Sequence, residues 1–258
     1  MSNLVKYEKR DDHLAIVTLD RPEKRNAVNA EIAAAMDRLV KATEADPDVW
    51  VVILTSSNDK VFCAGADLAE VAAGNGKKLY TGDGGFAGFV YNERAKPWIA
   101  AARGVTVAGG LELCLACEMI VAADNCTSGV PEAKRSLIAG AGGVTRMPRR
   151  IPLAVALEMI ATGDPISAER ALEVGLINRV VPLDQVMDSA IALAQAITAN
   201  APLAVREGIA VAKRASMLND ADGQALADAA LARLQTTEDY REGPLAFVEK
   251  RPPVWKGR

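Results

Sequence analysis

The first 150 residues of the chain alternate between two hydrophobic patterns. Leu14–Leu19 (LAIVTL) is a short apolar, β-branched run closed by Asp20-Arg21-Pro22, which predicts a strand. Asn29 then offers an N-cap, and Ile32, Met36, Leu39 and Val40 recur at helical spacing, which predicts an amphipathic helix over Ala30–Glu44. Val49–Leu54 (VWVVIL) is apolar on both faces, the pattern of a strand buried in a parallel sheet. Ser56–Lys60 reads as a polar loop, and Val61–Leu68 (VFCAGADL) leads from it into a helix. Gly74–Gly85 has five glycines in twelve positions and is expected to be a mobile loop. A helix is expected around Phe86–Arg94 and a strand over Trp98–Ala102 (WIAAA). A helix opened by Gly109-Gly110 should run through Cys117, followed by a strand over Met119–Ala122.

Strand followed by helix, repeated, indicates an α/β core with mainly parallel strands. Beyond Pro152 the pattern is mostly helical: Leu153–Thr162, Ala168–Val174, Leu183–Ala199, Pro202–Ala215, Ala221–Thr236 and a short helix near Pro244–Glu249. Gly163, Gly175 and Pro202 punctuate these stretches, and no tract of low complexity or repeat interrupts them.

Composition narrows the chemistry. At 258 residues, half of them apolar, the chain can bury one large core. Thirty Lys+Arg against 33 Asp+Glu give a net charge of −3, and aromatics are 4%; neither suits nucleic acid or an anionic membrane surface. No apolar run approaches the roughly 20 residues of a membrane helix; the longest candidate, Trp98 to Ala123, is broken by Arg103, Gly109-Gly110, Glu112 and Glu118. The opening MSNLVKYEKRDD has no apolar h-region, so we expect no secretory leader and a cytoplasmic protein. Cys63, Cys114, Cys117 and Cys126 then read as buried free thiols, since Cys114-x-x-Cys117 lacks a second pair or a histidine partner for zinc. The single histidine, His13, excludes a multi-histidine metal site. An enzyme of this composition would draw its acids and bases from carboxylates.

Three turns of small residues adjoin helical patterns: Cys63–Asp67 (CAGAD), Val107–Leu111 (VAGGL) and Ala139–Gly143 (AGAGG). Small residues at a helix start expose unpaired N–H groups and let a ligand approach, and two such donors can converge on one oxygen. Taken singly, each is also compatible with a tight strand-to-helix turn that binds nothing. Neither a dinucleotide fingerprint, nor a P-loop, nor a G-x-S-x-G elbow is present. Glu112 lies one turn into a helix among Leu111, Leu113, Leu115 and Ala116. A carboxylate so placed either pairs with a nearby Arg or Lys or has its pKa pushed toward neutrality. Glu132 follows Pro131 and is either an ordinary first-turn glutamate or the second carboxylate of a cleft.

The blocks FCAGADL at 62–68, AGGLEL at 108–113 and VPEAK at 130–134 resemble the enoyl-CoA hydratase/isomerase (crotonase) superfamily. So do LDRP at 19–22, GAGGVTRMP at 140–148, ATGDPISA at 161–168 and GLINRVV at 175–181. The tail EGPLAFVEKRPPVWKGR and GGFAG at 84–88 look closer to one branch, the carnitinyl-CoA dehydratases. The resemblance implies a crotonase-like spiral of β-β-α turns over residues 1–200 that binds acyl-CoA. It also implies helices over 201–258 used in a homotrimer, or in a hexamer built as a dimer of trimers. It implies an acyl-CoA thioester substrate and no separate cofactor, coenzyme A being part of the substrate. By motif position the N–H groups of Ala66 and Gly109 would form an oxyanion hole, and Glu112 and Glu132 fall on the two catalytic glutamates of hydratases. Lys24, Arg25, Ala27, Ala64, Asp67 and Leu68 fall on the coenzyme A-binding segments, and Lys250, Arg251, Lys256 and Arg258 are further cations for its phosphates. Two carboxylates favour hydration or dehydration over isomerisation; a non-catalytic CoA-ester-binding protein is the reading from another class. Two departures stand out: Ala108 where many hydratases have a third glycine, and Gly129-Val130 before Pro131.

Overall fold

The structure is a computed structural model and describes residues 3–258. Its first half carries β1 (Val5–Lys9), β2 (Leu14–Leu19), α1 (Ala30–Ala45), β3 (Val51–Ser56), β4 (Val61–Cys63) and α2 (Leu68–Ala72). There follow β5 (Tyr80–Thr81), β6 (Gly85–Phe86), β7 (Trp98–Ala102), β8 (Val105–Val107), α3 (Gly109–Ala116), β9 (Met119–Ala123) and β10 (Thr127–Gly129). Next come α4 (Gly143–Arg150), α5 (Leu153–Thr162), β11 (Ile166–Ser167), α6 (Ala168–Glu173) and β12 (Arg179–Val181). The chain ends in α7 (Val186–Thr198), α8 (Pro202–Ala215), α9 (Asp220–Leu234) and α10 (Glu238–Glu249).

Two sheets grow together. The larger has the order β1-β2-β3-β7-β9-β12 and is parallel apart from β1. The smaller has the order β11-β10-β8-β4, parallel apart from β11. Each turn adds a long strand to the first sheet and a short one to the second, as in β3–β4, β7–β8 and β9–β10, before the chain crosses back. This is a spiral of β-β-α turns, an α/β fold followed by C-terminal helices.

The burial pattern explains why the central strands read as unbroken apolar runs. On β3, Val52 and Leu54 join the main core while Val51 and Ile53 face the opposite way. On β7, Trp98, Ala100 and Ala102 join the main core and Ile99 and Ala101 the other cluster. That second cluster is closed by α7 through Val186, Ala190 and Ala194. Both faces of the sheet are thus covered, as parallel sheets require. Among the described residues no helix is long and apolar enough to cross a membrane.

Several expectations change. Val49 and Trp50 precede β3 rather than starting it: the Trp50 N–H bonds the His13 carbonyl at 2.8 Å, and sheet pairing begins at Val51. Val61–Cys63 is a strand of the second sheet before the chain turns into α2. Gly74–Gly85 holds a 3-10 turn over Gly76–Leu79 and most of the β5–β6 hairpin, pinned by buried Leu79. The expected helix around Phe86–Arg94 is a series of turns, because Ala87 and Gly88 have φ of 56° and 62°, which a right-handed helix cannot include. The last helix starts at Glu238, capped by the Thr237 hydroxyl, and passes through Pro244.

Candidate active site

The chain enters α3 through Ala108, at φ 53° and ψ −132°. Gly109 is the first helical residue, so its N–H has no intrahelical acceptor. The neighbouring turn comes from β4: a Cβ on Gly65 would lie 2.9 Å from both the Gly109 nitrogen and the Ala108 Cβ. The next residue, Ala66, forms a one-residue parallel bridge with Val28. The Val28 N–H bonds the Gly65 carbonyl at 2.8 Å and the Asp67 N–H bonds the Val28 carbonyl at 2.9 Å. In that pattern the N–H of Ala66 itself points away from Val28. Two adjacent turns therefore each carry a backbone donor that the element holding it does not use.

Glu112 follows three residues into α3, a helix buried along its whole length, and is 3% exposed. Its Oε1 accepts the Gly143 N–H at 2.9 Å, so it is anchored by backbone from the start of α4 rather than by an Arg or Lys side chain. Burial pushes its pKa up to about 7; the nearby Glu132 charge pushes the same way, while backbone donors at Gly143 and Ala141 and the Arg146 charge oppose it. Glu132 sits in the 3-10 turn Pro131–Arg135, behind buried Val130. Burial raises its pKa too, and its Oε2 is buried without a hydrogen-bond partner. The strand and loop between the two glutamates thus bring Glu132 near enough for its charge to act on Glu112. Tyr80 of β5 also lies within reach of the Glu112 charge, its hydroxyl made less acidic by burial and by that charge.

The segment 21–28 runs along the same edge. Lys24 and Arg25 are exposed on a 3-10 turn, and the Arg25 carbonyl accepts the Ala64 N–H at 3.1 Å. Ala27, Ala64 and Asp67 are half-buried beside it, and Leu68, at the start of α2, is 50% exposed. The Asp67 carboxylate is already engaged: it caps α2 through the Ala69 N–H at 3.1 Å and meets the Arg21 guanidinium at 2.7 Å. The Arg21 partnership holds its pKa below the usual carboxylate range. Three of the four tail cations are paired as well, Arg251 with Glu242 and Glu249, and Lys256 and Arg258 with Glu238.

Sequence reading missed Arg21, Asn26, Tyr80, Tyr91 and Arg146. Asn26 is fully buried; it accepts the Arg21 N–H at 2.7 Å and donates to Ser56 Oγ at 2.7 Å and the Phe62 carbonyl at 3.0 Å. A polar residue within LDRPEKRN was the available signal, since such turns need a side chain to satisfy their backbone. All four cysteines are buried free thiols.

Residues 9–258 match the family described as enoyl-CoA hydratase/isomerase. A carnitinyl-CoA dehydratase of Proteus mirabilis is 40% identical over 263 residues, covering both chains completely. The crystal structure of an enoyl-CoA hydratase from Mycobacterium marinum superposes with a TM-score of 0.94 at 41% identity, over 100% of each chain. That of a carnitinyl-CoA hydratase from Mycobacterium avium gives 0.80 at 42% identity, again over 100% of each. This chain belongs to the enoyl-CoA hydratase/isomerase family.

Proposed function

We propose that the chain adds water reversibly across the 2,3-double bond of a 2-enoyl-CoA thioester. Hydroxide adds at C3 and a proton at C2, through an enolate whose negative charge sits on the thioester oxygen. The Ala66 and Gly109 N–H groups receive that oxygen, and because they are fixed beforehand they need no reorganisation as charge develops. Glu112 takes a proton from the attacking water and Glu132 delivers one to C2; in dehydration the roles reverse. The observation that carries this reading is the pairing of a buried Glu112 with a half-buried Glu132, both with raised proton affinity, beside two backbone donors. Backbone donors at Gly143 and Ala141 hold the Glu112 carboxyl in a fixed orientation from which it can act on water. The unpartnered Oε2 of Glu132 suits a carboxyl that carries the proton to be delivered. Their mutual repulsion disfavours double ionisation, so one can act as base while the other acts as acid.

Lys24 and Arg25, exposed at the edge of the Ala64–Leu68 turn, bind the phosphates of coenzyme A, with backbone and apolar contacts from Ala27, Ala64, Asp67 and Leu68. The chemistry draws on these groups alone, coenzyme A arriving with the substrate. Carnitinyl-CoA and its dehydration product crotonobetainyl-CoA are the first substrates to test, because full-length relatives at about 40% identity are named for carnitinyl-CoA. We place the enzyme in the cytoplasm, where buried free thiols persist, as a homotrimer or a dimer of trimers assembled through its C-terminal helices.

The test is turnover of crotonyl-CoA and crotonobetainyl-CoA by the wild type, Glu112→Gln and Glu132→Gln. Each substitution should lower kcat by at least about 10²-fold while CoA-ester binding persists. Unchanged rates in both variants would overturn the carboxylate mechanism. Binding without turnover by the wild type would favour a non-catalytic CoA-ester-binding protein.

A further inference from the structure

Arg146 lies on α4, three residues after Gly143, and reaches back under the turn that precedes the helix. Its Nη1 donates to the Ala141 carbonyl at 3.3 Å and its Nη2 to the Val90 carbonyl. The guanidinium carbon lies 5.0 Å from the centre of the Tyr91 ring, and the Tyr91 hydroxyl donates to the Gly140 carbonyl at 3.2 Å. Two successive carbonyls of the Ala139–Gly143 turn are therefore held from one side by Arg146 and Tyr91. From its other end the same turn presents the Gly143 N–H to Glu112. Space for the guanidinium depends on Gly142, whose φ is 119°: a Cβ there would come within 2.4 Å of Nη1.

We propose that Arg146 is a positioning residue, clamping the Ala139–Gly143 turn to Val90–Tyr91 so that the Gly143 N–H stays on Glu112. The inference rests on Glu112 being catalytic and adds what holds it in place. A guanidinium is suited to the task because its planar fork reaches two carbonyls while its face covers an aromatic ring. Lysine supplies a point charge without the fork. The groups facing Glu112 are Glu132 from the Pro131–Arg135 turn, Arg146 from α4, Tyr80 from β5, and the backbone at Ala141 and Gly143. Loss of the clamp removes one cation and loosens one N–H donor, and both changes favour the protonated form of Glu112. A base that must be ionised then needs a higher pH.

The experiment compares the pH dependence of kcat and KM in wild type, Glu112→Gln, Arg146→Lys, Arg146→Gln and Tyr91→Phe, with thermal melting of each. We expect Arg146→Gln to lower kcat about 10- to 100-fold with a much smaller change in KM. Its acidic limb should move up by about half a pH unit or more. Arg146→Lys should restore most of the limb but only part of kcat. Tyr91→Phe, which deletes one hydroxyl at the edge of the site, should lower kcat several-fold with the melting temperature nearly unchanged. A reduced kcat with an unmoved limb in Arg146→Gln would reduce Arg146 to a structural clamp and overturn the proposal. If Arg146→Gln does not fold, wild-type kcat and limb in both Arg146→Lys and Tyr91→Phe overturn it instead. Wild-type activity in Glu112→Gln would defeat the hydratase mechanism itself, whereas an inactive Glu112→Gln beside unaffected Arg146 variants defeats this inference alone.

Discussion

Gly65 and Gly109 meet backbone to backbone: a Cβ on Gly65 would stand 2.9 Å from the Gly109 nitrogen. Since that nitrogen is one of the two proposed oxyanion donors, the contact couples the first turn of α3 to the turn after β4. Gly65→Ala should displace the donor and strain a residue at φ 89°. The expected result is a kcat lower by about 10²–10³-fold, the cost of one lost oxyanion donor. A folded Gly65→Ala protein with wild-type kcat on crotonyl-CoA would show that these two turns do not form the hole.

Ala108 enters the same turn at φ 53° and ψ −132°, a conformation open to glycine and costly for any residue with a Cβ. Relief of roughly 1–3 kcal/mol of strain, less roughly 0.5–1 kcal/mol of glycine chain entropy, predicts that Ala108→Gly stabilises the protein by about 1 kcal/mol. Urea denaturation of the two proteins would measure it; a lower midpoint for the glycine variant would mean that Ala108 is not strained.

Arg21 and Asp67 pair at 2.7 Å with both side chains largely buried, joining the segment that carries Lys24 and Arg25 to the turn that carries Ala66. The Arg21 Nη1 also donates to the Ala27 carbonyl at 3.0 Å, so the pair fixes both walls of the proposed coenzyme A edge. Asp67→Ala and Arg21→Ala should each weaken CoA-ester binding and stability, and the double variant should be no worse than the poorer single. A double-mutant cycle should show coupling of about 1–3 kcal/mol. Strict additivity would mean that the two residues act independently.

What could be read from sequence follows from which contacts are local. The elements β2, α1, β7, α3 and α5 each bury a regular pattern or carry their own cap, as Asn29 does by accepting the Ile32 N–H at 2.9 Å, and α8 is opened by Pro202. The strands β4, β8 and β10 have three residues each, too few for a period to show. Phe86, Phe89 and Val90 imitate a helical face at i, i+3, i+4, and only the positive φ at Ala87 and Gly88 breaks it. In the site, Glu112 was conspicuous because a carboxylate among leucines demands an explanation. Its anchor was not visible, because Gly143 lies 31 residues away and the Arg146 contact with Val90 spans 56. Such pairings are set by the spiral, which brings successive turns side by side, and no local pattern announces them.

Burial of Glu112 also couples stability to pH. Its folded pKa of about 7 lies above the 4.5 of a free glutamate, so the folded state holds the proton more tightly than the unfolded chain. The neutral carboxyl carries no penalty below about pH 4.5. As the pH rises past that value the unfolded chain ionises first, and stability declines until the folded carboxyl ionises near pH 7. The full loss is about 3 kcal/mol at 1.36 kcal/mol per pH unit. Glu112→Gln keeps an acceptor for the Gly143 N–H but cannot ionise, so it should escape this decline. The stability of the variant relative to wild type, from chemical denaturation at pH 5 and pH 8, should rise by about 2–3 kcal/mol between the two. A pH-independent difference would mean that Glu112 titrates normally, and would remove the raised proton affinity on which its part in the reaction depends.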